Sequence, residues 1–470
     1  MLARVRPYVL LFLGLNVVYH ANFRPIDSSD TLPASLIPFS VVLDHSVTLD
    51  RFFPWLPRHI WYTPYVTHRS HGHHFSGFPI GGALLVSPLY VPIALAARHW
   101  DPGGLVVLAR MAEKFSAAAI AAFSTVLLLL LLKRIVSAPW AWVLTLVYAF
   151  ATETWSISSQ ALWQHGPGVL AIIGSFYGLE RWSAERGRSG WLWLCGACAA
   201  AAFIIRPTNV VLFPAILAAM LLAHATLDCY VRLLTLPLLG GALLVGYNLY
   251  VFQRLSGGYA MSVLEGSVPE GLAGLLVSPS RGLLIYTPLV LFALCAFLPS
   301  AAAAGRLHQP LRTAAAVLIV LEPLIIAPSR IWWAGYCWGP RYLTEIIPAL
   351  IVLMALGVSL IDRPWPRRAF VVLALYSVLT QIVGVFFYPH GHWDGTPQSI
   401  DVAHGRLWDW RDNPIARTLS GGFYWEPYSV VGSALRGGIP AAAERMRELN
   451  VSPFEESQPA KVSHKGRGLP

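Results

Sequence analysis

Hydrophobic residues gather along the chain in stretches that approach the length of a membrane span and are separated by short polar segments. A helix crosses the hydrocarbon core of a bilayer in about 20 apolar residues. Twelve stretches come near that length, at 8–20, 79–98, 111–132, 138–155, 166–182, 190–205, 209–225, 230–252, 282–299, 312–328, 345–361 and 369–388. The pattern therefore predicts an all-α polytopic membrane protein with about 11–12 transmembrane helices.

Basic residues in the short loops predict the orientation of these helices. Loops 180–189, 299–312 and 362–368 each carry two or three Arg, and short loops rich in Lys and Arg stay in the cytoplasm. The intervening polar segments are then extracytoplasmic, namely 21–78, 253–281, 329–344 and 389–470. Because nearly all of the polar mass lies on that side, we expect the protein to act there.

Counting crossings from the two ends of the chain gives a mismatch of one span. We attribute it to 79–98, which is interrupted by Pro79, Pro88 and Pro92, and predict a re-entrant element or half-span there. Broken backbone at membrane depth is tolerated where it lines a cavity, so this element would form a wall of the site. An additional break within 111–155 is the alternative.

Composition agrees with a membrane protein and excludes nucleic acid as a partner. Hydrophobic residues make up 56% of the chain, charged residues 12%, and the mean hydropathy is +0.56. The net charge of +10 is not clustered as a nucleic-acid footprint requires. Instead, the basic excess lies in 1–388, and 389–470 carries as many acidic as basic residues. We therefore expect a transmembrane domain over 1–388, an aromatic-rich extracytoplasmic tail over 389–454, and disorder over 455–470.

The first extracytoplasmic loop, 21–78, begins with two acidic residues, Asp27 and Asp30. They come directly after the first span, which puts them near the membrane surface. The segment that follows Asp30, SDTLPASLIPFSVVL, predicts an amphipathic helix lying along the interface. Asp30 would serve such a helix as its N-cap, because Asp is favoured just before an apolar-periodic run. A cap and a catalytic carboxylate are compatible roles.

A first span followed by an acidic motif in a long outer loop resembles the GT-C fold of integral-membrane glycosyltransferases. Relatives of that kind include protein O-mannosyltransferases and the bacterial transferases that put aminoarabinose on lipid A. The resemblance spans about 22–430. Further segments resemble uncharacterised bacterial members, namely FSGFPIGGALLVSPLY, ALWQHGPGVL, SPSRGLLIYTPLV, WWAGYCWGPRYLTEIIP, YPHGHWDGTP and RLWDWRDNP.

The resemblance implies transfer of a hexose or pentose from a polyprenyl-phosphate carrier to an extracytoplasmic glycan, lipid or protein, at a bacterial inner membrane. The Asp of the motif would act as general base on the acceptor hydroxyl, by direct displacement. We assign that role to Asp30, because its Asp-Thr placement best matches the motif. Many members carry a second acidic residue directly after the Asp; here that residue is Thr31, which leaves Asp27 as the possible partner.

Arginine is the natural counterpart of a lipid phosphate, since its planar fork pairs phosphate oxygens bidentately. Arg281 in SPSRGLL and Arg341 in WGPRYL each stand just ahead of a predicted span. Either could instead be an interfacial Arg that snorkels to headgroups. Arg206 in FIIRPTN is a further candidate, although Pro207 also marks a helix junction there.

Sugar contacts are expected from two polar and two aromatic residues. Gln164 and His165 in LWQHGPG lie on the outer side in the predicted topology, where they could hydrogen-bond sugar hydroxyls or assist the phosphate. A structural role at a helix start is the alternative for His165. Trp338 and Tyr342 flank Arg341 and complete the substrate-binding set. Glu322 lies inside a predicted span, where acids are functional or paired.

The tract HRSHGHH contains His68, His71, His73 and His74. Imidazole-rich tracts can bind zinc, but the spacing matches no defined metal site and no carboxylate is adjacent in sequence. Many members of the resembling family need no metal, and we predict neither a metal nor another cofactor. His74 is expected to contact the carrier phosphate instead.

Two other functions are compatible with the pattern. An O-antigen-type polymerase or ligase uses a lipid-diphosphate-linked glycan, and its large outer loop comes late in the chain rather than first. A lipid or solute transporter would show internal repeats and polar sites at mid-membrane, and this sequence has neither clearly.

Overall fold

The computed structural model describes residues 2–24, 28–58, 62–185, 189–258, 264–389 and 391–449. Within them the chain is almost entirely helical, apart from one two-stranded hairpin. The elements are α1 Leu2–His20, α2 Leu32–Asp44, β1 Thr67–Ser70, β2 His73–Ser76, α3 Gly81–Ala96, α4 Pro102–Leu132, α5 Ala138–Phe150, α6 His165–Ala184, α7 Gly190–Ile205, α8 Leu212–Leu222, α9 Leu227–Phe252, α10 Val268–Val277, α11 Leu283–Tyr286, α12 Ala302–Leu307, α13 Gln309–Ile326, α14 Ile347–Leu356, α15 Val358–Ile361, α16 Pro364–Phe386, α17 His392–Gly395, α18 Pro414–Gly421 and α19 Glu426–Glu448, which is interrupted at Gly438.

Each of the twelve predicted hydrophobic stretches contains helix in the structure. Among the described residues, four helices are both long and apolar enough to cross a membrane, namely α4, α9, α13 and α16. Most of the other stretches form shorter apolar helices, and 282–299 is divided between α11 and a 3-10 helix over Pro288–Phe297. The prediction of an all-α polytopic membrane protein is confirmed.

Helix α3 occupies the stretch that we expected to be broken. It is instead one continuous helix of 16 residues that runs through Pro88 and Pro92. At 1.5 Å per residue it is about 24 Å long, shorter than the hydrocarbon core of about 30 Å. Phe78 and Pro79, which come just before the helix, line the cavity of the candidate site.

Helices α6, α7 and α9 approach one another closely because glycines stand at their contacts. A Cβ at Gly178 of α6 would lie 2.8 Å from the backbone nitrogen of Cys195 in α7. A Cβ at Gly196 of α7 would lie 2.2 Å from the carbonyl oxygen of Leu233 in α9. Small residues at such contacts let helix backbones pack tightly in a membrane, so these three helices form a rigid wall beneath the site.

Helix α2 is more enclosed than an interfacial helix. Eight of its first nine residues are buried, among them Leu36, Ile37 and Phe39, which pack in one cluster with Tyr90 of α3. The one-sided, amphipathic exposure predicted for α2 is therefore not seen, and its position along the membrane interface stays a prediction. The helix is apolar on every side rather than on one, and such helices are buried.

The histidine-rich tract folds as the β1–β2 hairpin. Its turn is formed by His71 and Gly72, both with positive φ angles, as a two-residue hairpin turn prefers. His71 stacks on Tyr250 and its ring nitrogen lies 3.0 Å from the carbonyl oxygen of that residue. The hairpin is thereby attached to the end of α9.

The aromatic-rich tail packs on the loops between α10 and α11 and before α14. Trp393 and Leu407 are buried in one cluster with Trp332 and Trp338. The carbonyl oxygen of Leu407 accepts hydrogen bonds from the hydroxyls of Ser278 and Ser280, at 2.6 and 3.1 Å. The tail therefore covers the same face that carries the first loop; residues 455–470 lie outside the described part of the chain.

Candidate active site

A cavity of about 350 Å³ opens where several distant parts of the chain meet. These parts include the Asp30 turn, the segment after β2, the residues that precede α6, those that follow α7, and the segment from the end of α13 to Tyr342; Leu264, between α9 and α10, adds a sixth. Its lining includes Asp30, Ala34, Ser76, Phe78, Pro79, Leu162, Trp163, Gln164, His165, Arg206, Thr208, Leu264, Ile325, Ile326, Ser329, Arg341 and Tyr342. Most of this wall is apolar, and charged groups stand at only a few points of it.

Asp30 lies at the rim of the cavity, in a short 3-10 helix over Ser29–Thr31. Its Oδ2 accepts a hydrogen bond from Nη1 of Arg341 at 3.1 Å, and its Oδ1 accepts one from the hydroxyl of Tyr65 at 3.3 Å. The side chain is 29% exposed. Asp30 makes no side-chain cap to α2, whose N-cap position is held by Thr31; the capping interpretation is therefore wrong. The second predicted carboxylate, Asp27, lies outside the described residues.

Arg341 is buried and lines the cavity. It donates to Asp30 and to the carbonyl oxygen of Ala334, and its guanidinium lies 5.2 Å from the centre of the Trp163 ring. Within the described residues its Nε has no hydrogen-bond partner. Burial, the largest influence, lowers the pKa of Arg341, but Asp30, Cys337 and Tyr342 together raise it by more, so that the net shift is upward and the charge is retained. It is not a snorkelling side chain.

A second buried cation, Arg206, lines the same cavity with His165. Its Nη1 donates to Nε2 of His165 at 2.9 Å and lies 3.1 Å from Oε1 of Glu345. Nδ1 of His165 is 2.9 Å from the same carboxylate oxygen. The same Nη1 of Arg206 also contacts Nδ1 of His165, so the three side chains form one buried polar network. His165 is also the first residue of α6, which agrees with the structural alternative, and its contact with sugar or phosphate stays a prediction.

Sequence reasoning missed Glu345 and Tyr65 as residues of the site. Glu345 is fully buried, and it opens the hydrophobic stretch 345–361, where an acid is costly unless it is paired. That cost was the available signal. Tyr65 left no signal, because its contact with Asp30 depends on how the first loop folds back over 35 residues. Glu322, which we singled out in α13, is buried one turn from the cavity-lining Ile325 and Ile326.

Gln164 and Tyr342 line the cavity as predicted, whereas Trp338 does not. Trp338 is buried between Tyr286 and Tyr388 and lies against Gly384 of α16, where a Cβ would come within 2.4 Å of its ring. Its role in the structure is therefore to pack α16 against the loop that carries Arg341. The placement of Trp338 in the substrate-binding set is not supported.

Arg281 is also absent from the cavity lining. Its Nε donates to the carbonyl oxygen of Trp333 at 2.9 Å, Nη1 to that of Ser280 at 2.9 Å and Nη2 to that of Gly335 at 3.0 Å. The same Nη2 forms an ion pair with Asp394. Because its donors are occupied by protein groups, Arg281 holds the tail on the loops and is not set to bind a phosphate.

His74 points away from the cavity, toward Asp50. Its Nδ1 lies 3.1 Å from Oδ1 of Asp50, its backbone N–H donates to the same oxygen at 2.7 Å, and its ring stacks on Phe53. Nδ1 of His73 lies 2.6 Å from the other oxygen. A carboxylate is thus beside the tract in space, although not in sequence. Among the described residues no three His, Cys, Asp or Glu are grouped as a metal site.

Taken together, these residues place one carboxylate and two guanidiniums around the same cavity. A partly exposed carboxylate stands at the rim, two buried guanidiniums face the interior, and Phe78, Leu264, Ile325 and Ile326 supply apolar wall. Guanidiniums bind phosphate oxygens, a carboxylate accepts a proton from a hydroxyl, and an apolar wall accommodates a hydrocarbon chain.

No family model matches the chain, and no curated protein matches it. Solved structures that resemble it include ArnT from Cupriavidus metallidurans bound to undecaprenyl phosphate, with 14% sequence identity and a TM-score of 0.49 over 96% of this chain and 75% of that chain. ArnT in the apo state gives a TM-score of 0.48 at the same identity and coverage. The archaeal oligosaccharyltransferase AglB from Archaeoglobus fulgidus, in complex with an inhibitory peptide and a dolichol-phosphate, has 14% identity and a TM-score of 0.47, over 97% of this chain and 61% of that chain. At these values the likeness concerns the course of the chain alone.

Proposed function

We propose that this chain is a glycosyltransferase of the GT-C kind, which moves a sugar from a polyprenyl-phosphate carrier to a hydroxyl acceptor on the extracytoplasmic side of a bacterial inner membrane. One observation carries the proposal. Asp30, a partly exposed carboxylate, is paired with Arg341 at the rim of a cavity that contains a second arginine, Arg206. This combination supplies both a base for the acceptor and cations for the leaving phosphate.

Arg341 and Arg206 are the groups proposed to bind the donor phosphate. Both are buried, so their attraction for an anion is little screened by water. Lipid phosphate is the leaving group, and it departs with the electron pair of its bond to the anomeric carbon. Cations that face the departing oxygens stabilise the charge that develops there.

Asp30 is proposed as the general base. The hydroxyl oxygen of the acceptor attacks the anomeric carbon and forms the new glycosidic bond, while its proton passes to the carboxylate. Arg341 already engages Oδ2 of Asp30, so Oδ1, on the side of the exposed Tyr65, is the oxygen that faces an incoming acceptor. A positioned base of this kind contributes roughly 10²–10⁴-fold to the rate. Direct displacement needs one catalytic carboxylate, in contrast to the paired carboxylates of glycoside hydrolysis.

The balance of charges in the cavity favours a monophosphate donor over a diphosphate. Each arginine is already matched by one carboxylate, Arg341 by Asp30 and Arg206 by Glu345. Such a site accepts a single additional negative charge more readily than two or three. This supports the polyprenyl-phosphate donor over the lipid-diphosphate donor of an O-antigen-type polymerase or ligase. We expect no metal or other cofactor, so transfer should survive chelation with EDTA.

The test is transfer by the purified protein in nanodiscs, supplied with polyprenyl-phosphate hexoses and pentoses and with extracts of cell-envelope lipid and glycan as acceptors. We expect transfer by the wild-type protein, and a loss on the order of 10²–10⁴-fold in the Asp30→Asn variant. The matched control is Asp44→Asn, which removes a carboxylate of the same loop that pairs with Arg51 at the surface. Full activity of Asp30→Asn would refute the general-base role, and activity only with diphosphate donors would refute the donor class.

A further inference from the structure

Helix α4 carries a buried ion pair that the proposed reaction does not use. Nη1 of Arg110 lies 2.7 Å from Oε2 of Glu113, one turn further along the helix. Both side chains are almost completely enclosed, with 5% and 1% of their surfaces exposed. Moving two charges out of water costs several kcal/mol per ion, and a pair of apolar residues would avoid that cost. The contacts that the pair makes outside α4 indicate what it does.

Arg110 contacts the chain on both sides of Asp30. Its Nη2 donates to the carbonyl oxygen of Ser28 at 3.1 Å, and its Nη1 donates to the hydroxyl of Thr31 at 3.3 Å. The turn between these two residues is a 3-10 helix of only three residues, and the side chain of Ser28 does not cap it. The hydroxyl and the backbone N–H of Thr31 donate to the carbonyl oxygen of Ser28 at 3.2 and 3.4 Å. Arg110 adds two contacts from outside the turn, one to each of these two residues.

Glu113 contacts the opposite wall of the cavity. Its Oε1 accepts a hydrogen bond from the backbone N–H of Leu162 at 3.0 Å. Leu162 and the next three residues, which end with His165, all line the cavity. The carboxylate thus holds the segment that carries the predicted sugar-binding residues, while its partner Arg110 holds the turn that carries the base.

We infer that Arg110 and Glu113 are positioning residues, which fix the distance between Asp30 and the segment Leu162–His165. The inference rests on the proposed function for its catalytic consequence, although the connection itself is a property of the fold. It explains why the ion pair is retained at a buried position: an apolar pair could fill the same volume, but it could not donate to Ser28 and Thr31 or accept from Leu162. The rate of transfer depends on such placement, since a displacement of about 1 Å can cost on the order of 10²-fold.

The experiment replaces the pair by apolar residues of similar volume, Arg110→Met with Glu113→Leu. This double variant removes both charges of the pair together, and such replacements are often tolerated in stability. The matched control is His308→Phe with Glu180→Leu. This buried pair joins the start of α13 to the end of α6, and the cavity lies at the other end of each helix. Arg110→Lys with Glu113 intact serves as the conservative variant, since it keeps the charge and loses the fork that reaches two acceptors.

Two readouts are measured on each protein in nanodiscs. The first is steady-state transfer, for which we expect kcat of the double variant to fall by 10- to 100-fold while KM for the polyprenyl-phosphate sugar changes less than threefold, with the Arg110→Lys variant recovering part of the rate. The second is hydrogen exchange of the backbone, for which we expect faster exchange in both 28–36 and 159–166 in the double variant. The control pair should change neither.

The two readouts separate failure of this inference from failure of the proposed function. If no variant and no wild-type protein transfers sugar, the proposed function is wrong, and hydrogen exchange alone decides the positioning role. If the wild-type protein is active and the double variant keeps both its kcat and its slow exchange, the positioning role is wrong. Equal loss of kcat, abundance and thermal stability in the double variant and in the control pair would also overturn it, because it would reduce the pair to general stability.

Discussion

Two buried arginine–aspartate pairs lie on the same face of the molecule, and they differ in how much of each is left open. Arg281 pairs with Asp394, and 1% and 0% of the two side chains are exposed. Arg341 pairs with Asp30, and 7% and 29% are exposed. The sequence presents Arg281 and Arg341 as equals, each in a loop ahead of a hydrophobic stretch. The structure separates them by their hydrogen bonds.

Every nitrogen of the Arg281 guanidinium donates to a protein carbonyl or carboxylate, and Asp394 also accepts a hydrogen bond from Tyr388. In the other pair, Nε of Arg341 has no partner within the described residues, and the carboxylate reaches the surface. A buried polar group with no partner is costly, and the Nε of Arg341 lies beside the cavity. The protein therefore occupies the donors of Arg281 fully, whereas Arg341 has a donor left for the proposed phosphate.

The largest contrast is expected between the two carboxylates. Asp30→Asn should reduce transfer by roughly 10²–10⁴-fold, because it removes the base. It should cost less stability than Asp394→Asn, because Asp30 is 29% exposed and water can replace its contact with Arg341. Asp394→Asn should destabilise the protein by about 3–5 kcal/mol, because it leaves the charge of Arg281 buried without a partner. Thermal unfolding in nanodiscs and steady-state transfer measure both quantities. The comparison fails if the two variants lose stability to the same extent.

Substitution by Lys should also affect Arg341 and Arg281 differently, the first in donor use and the second in stability. Arg341→Lys keeps the charge but not the planar fork, and it should weaken use of the polyprenyl-phosphate sugar by roughly 10- to 100-fold, as expected for a lost hydrogen bond to a charged group. Arg281→Lys should lower membrane abundance and melting temperature instead. Binding of undecaprenyl phosphate, measured by native mass spectrometry, isolates the ligand-binding effect. Unchanged binding by Arg341→Lys would remove that arginine from the phosphate site.

Arg206 provides an intermediate case, since it pairs with Glu345 and faces the cavity as well. Arg206→Gln should raise KM for the donor by roughly 10-fold, and it should also lower stability, because Glu345 is fully buried and loses its cation. The control is Arg232→Gln, which removes an exposed partner of Asp228 on α9. A fall in kcat without a change in KM would place the effect of Arg206 on another step.

Substitution of Asp50 should have the smallest effect on stability of the changes considered, and it serves as the reference for both arginine–aspartate pairs. Partial burial raises the pKa of Asp50. Hydrogen bonds from the His74 N–H and from the rings of His73 and His74 lower it by a larger amount in total, so the net shift is downward. Its stabilisation is therefore present above the ordinary pKa of an Asp and is lost as the pH falls through the lowered value. Asp50→Asn should reduce the melting temperature slightly at pH 7, and the difference should vanish at a pH below the lowered pKa of Asp50. A difference that persists there would contradict the assignment, and transfer should be unaffected.

Sequence reasoning located the helices well because the hydrophobic stretches determine them locally. It also identified Asp30, Arg341, Gln164, His165 and Tyr342, which the fold brings to one cavity. It could not separate Arg341 from Arg281, because what distinguishes them is the partner of each, and Asp394 lies 113 residues beyond Arg281. The prediction that His74 contacts the phosphate was wrong for the same reason, since the carboxylate that His74 contacts, Asp50, lies 24 residues earlier. The sequence therefore predicted which residues lie in the outer loops, but not which of them pair with one another.

Tyr65 has a consequence for the enzyme when no acceptor is present. Its side chain is 60% exposed, and its hydroxyl meets Oδ1 of Asp30 and the hydroxyl of Ser29, both at 3.3 Å. A phenol in that position occupies the place from which a water molecule would be activated, and it would be displaced by an acceptor that binds more tightly than water. Under the proposed function, this placement of Tyr65 would limit hydrolysis of the lipid-linked sugar when no acceptor is bound. Tyr65→Phe should accordingly increase the release of free sugar in the absence of acceptor, and an unchanged hydrolysis rate would argue that water is excluded by other means.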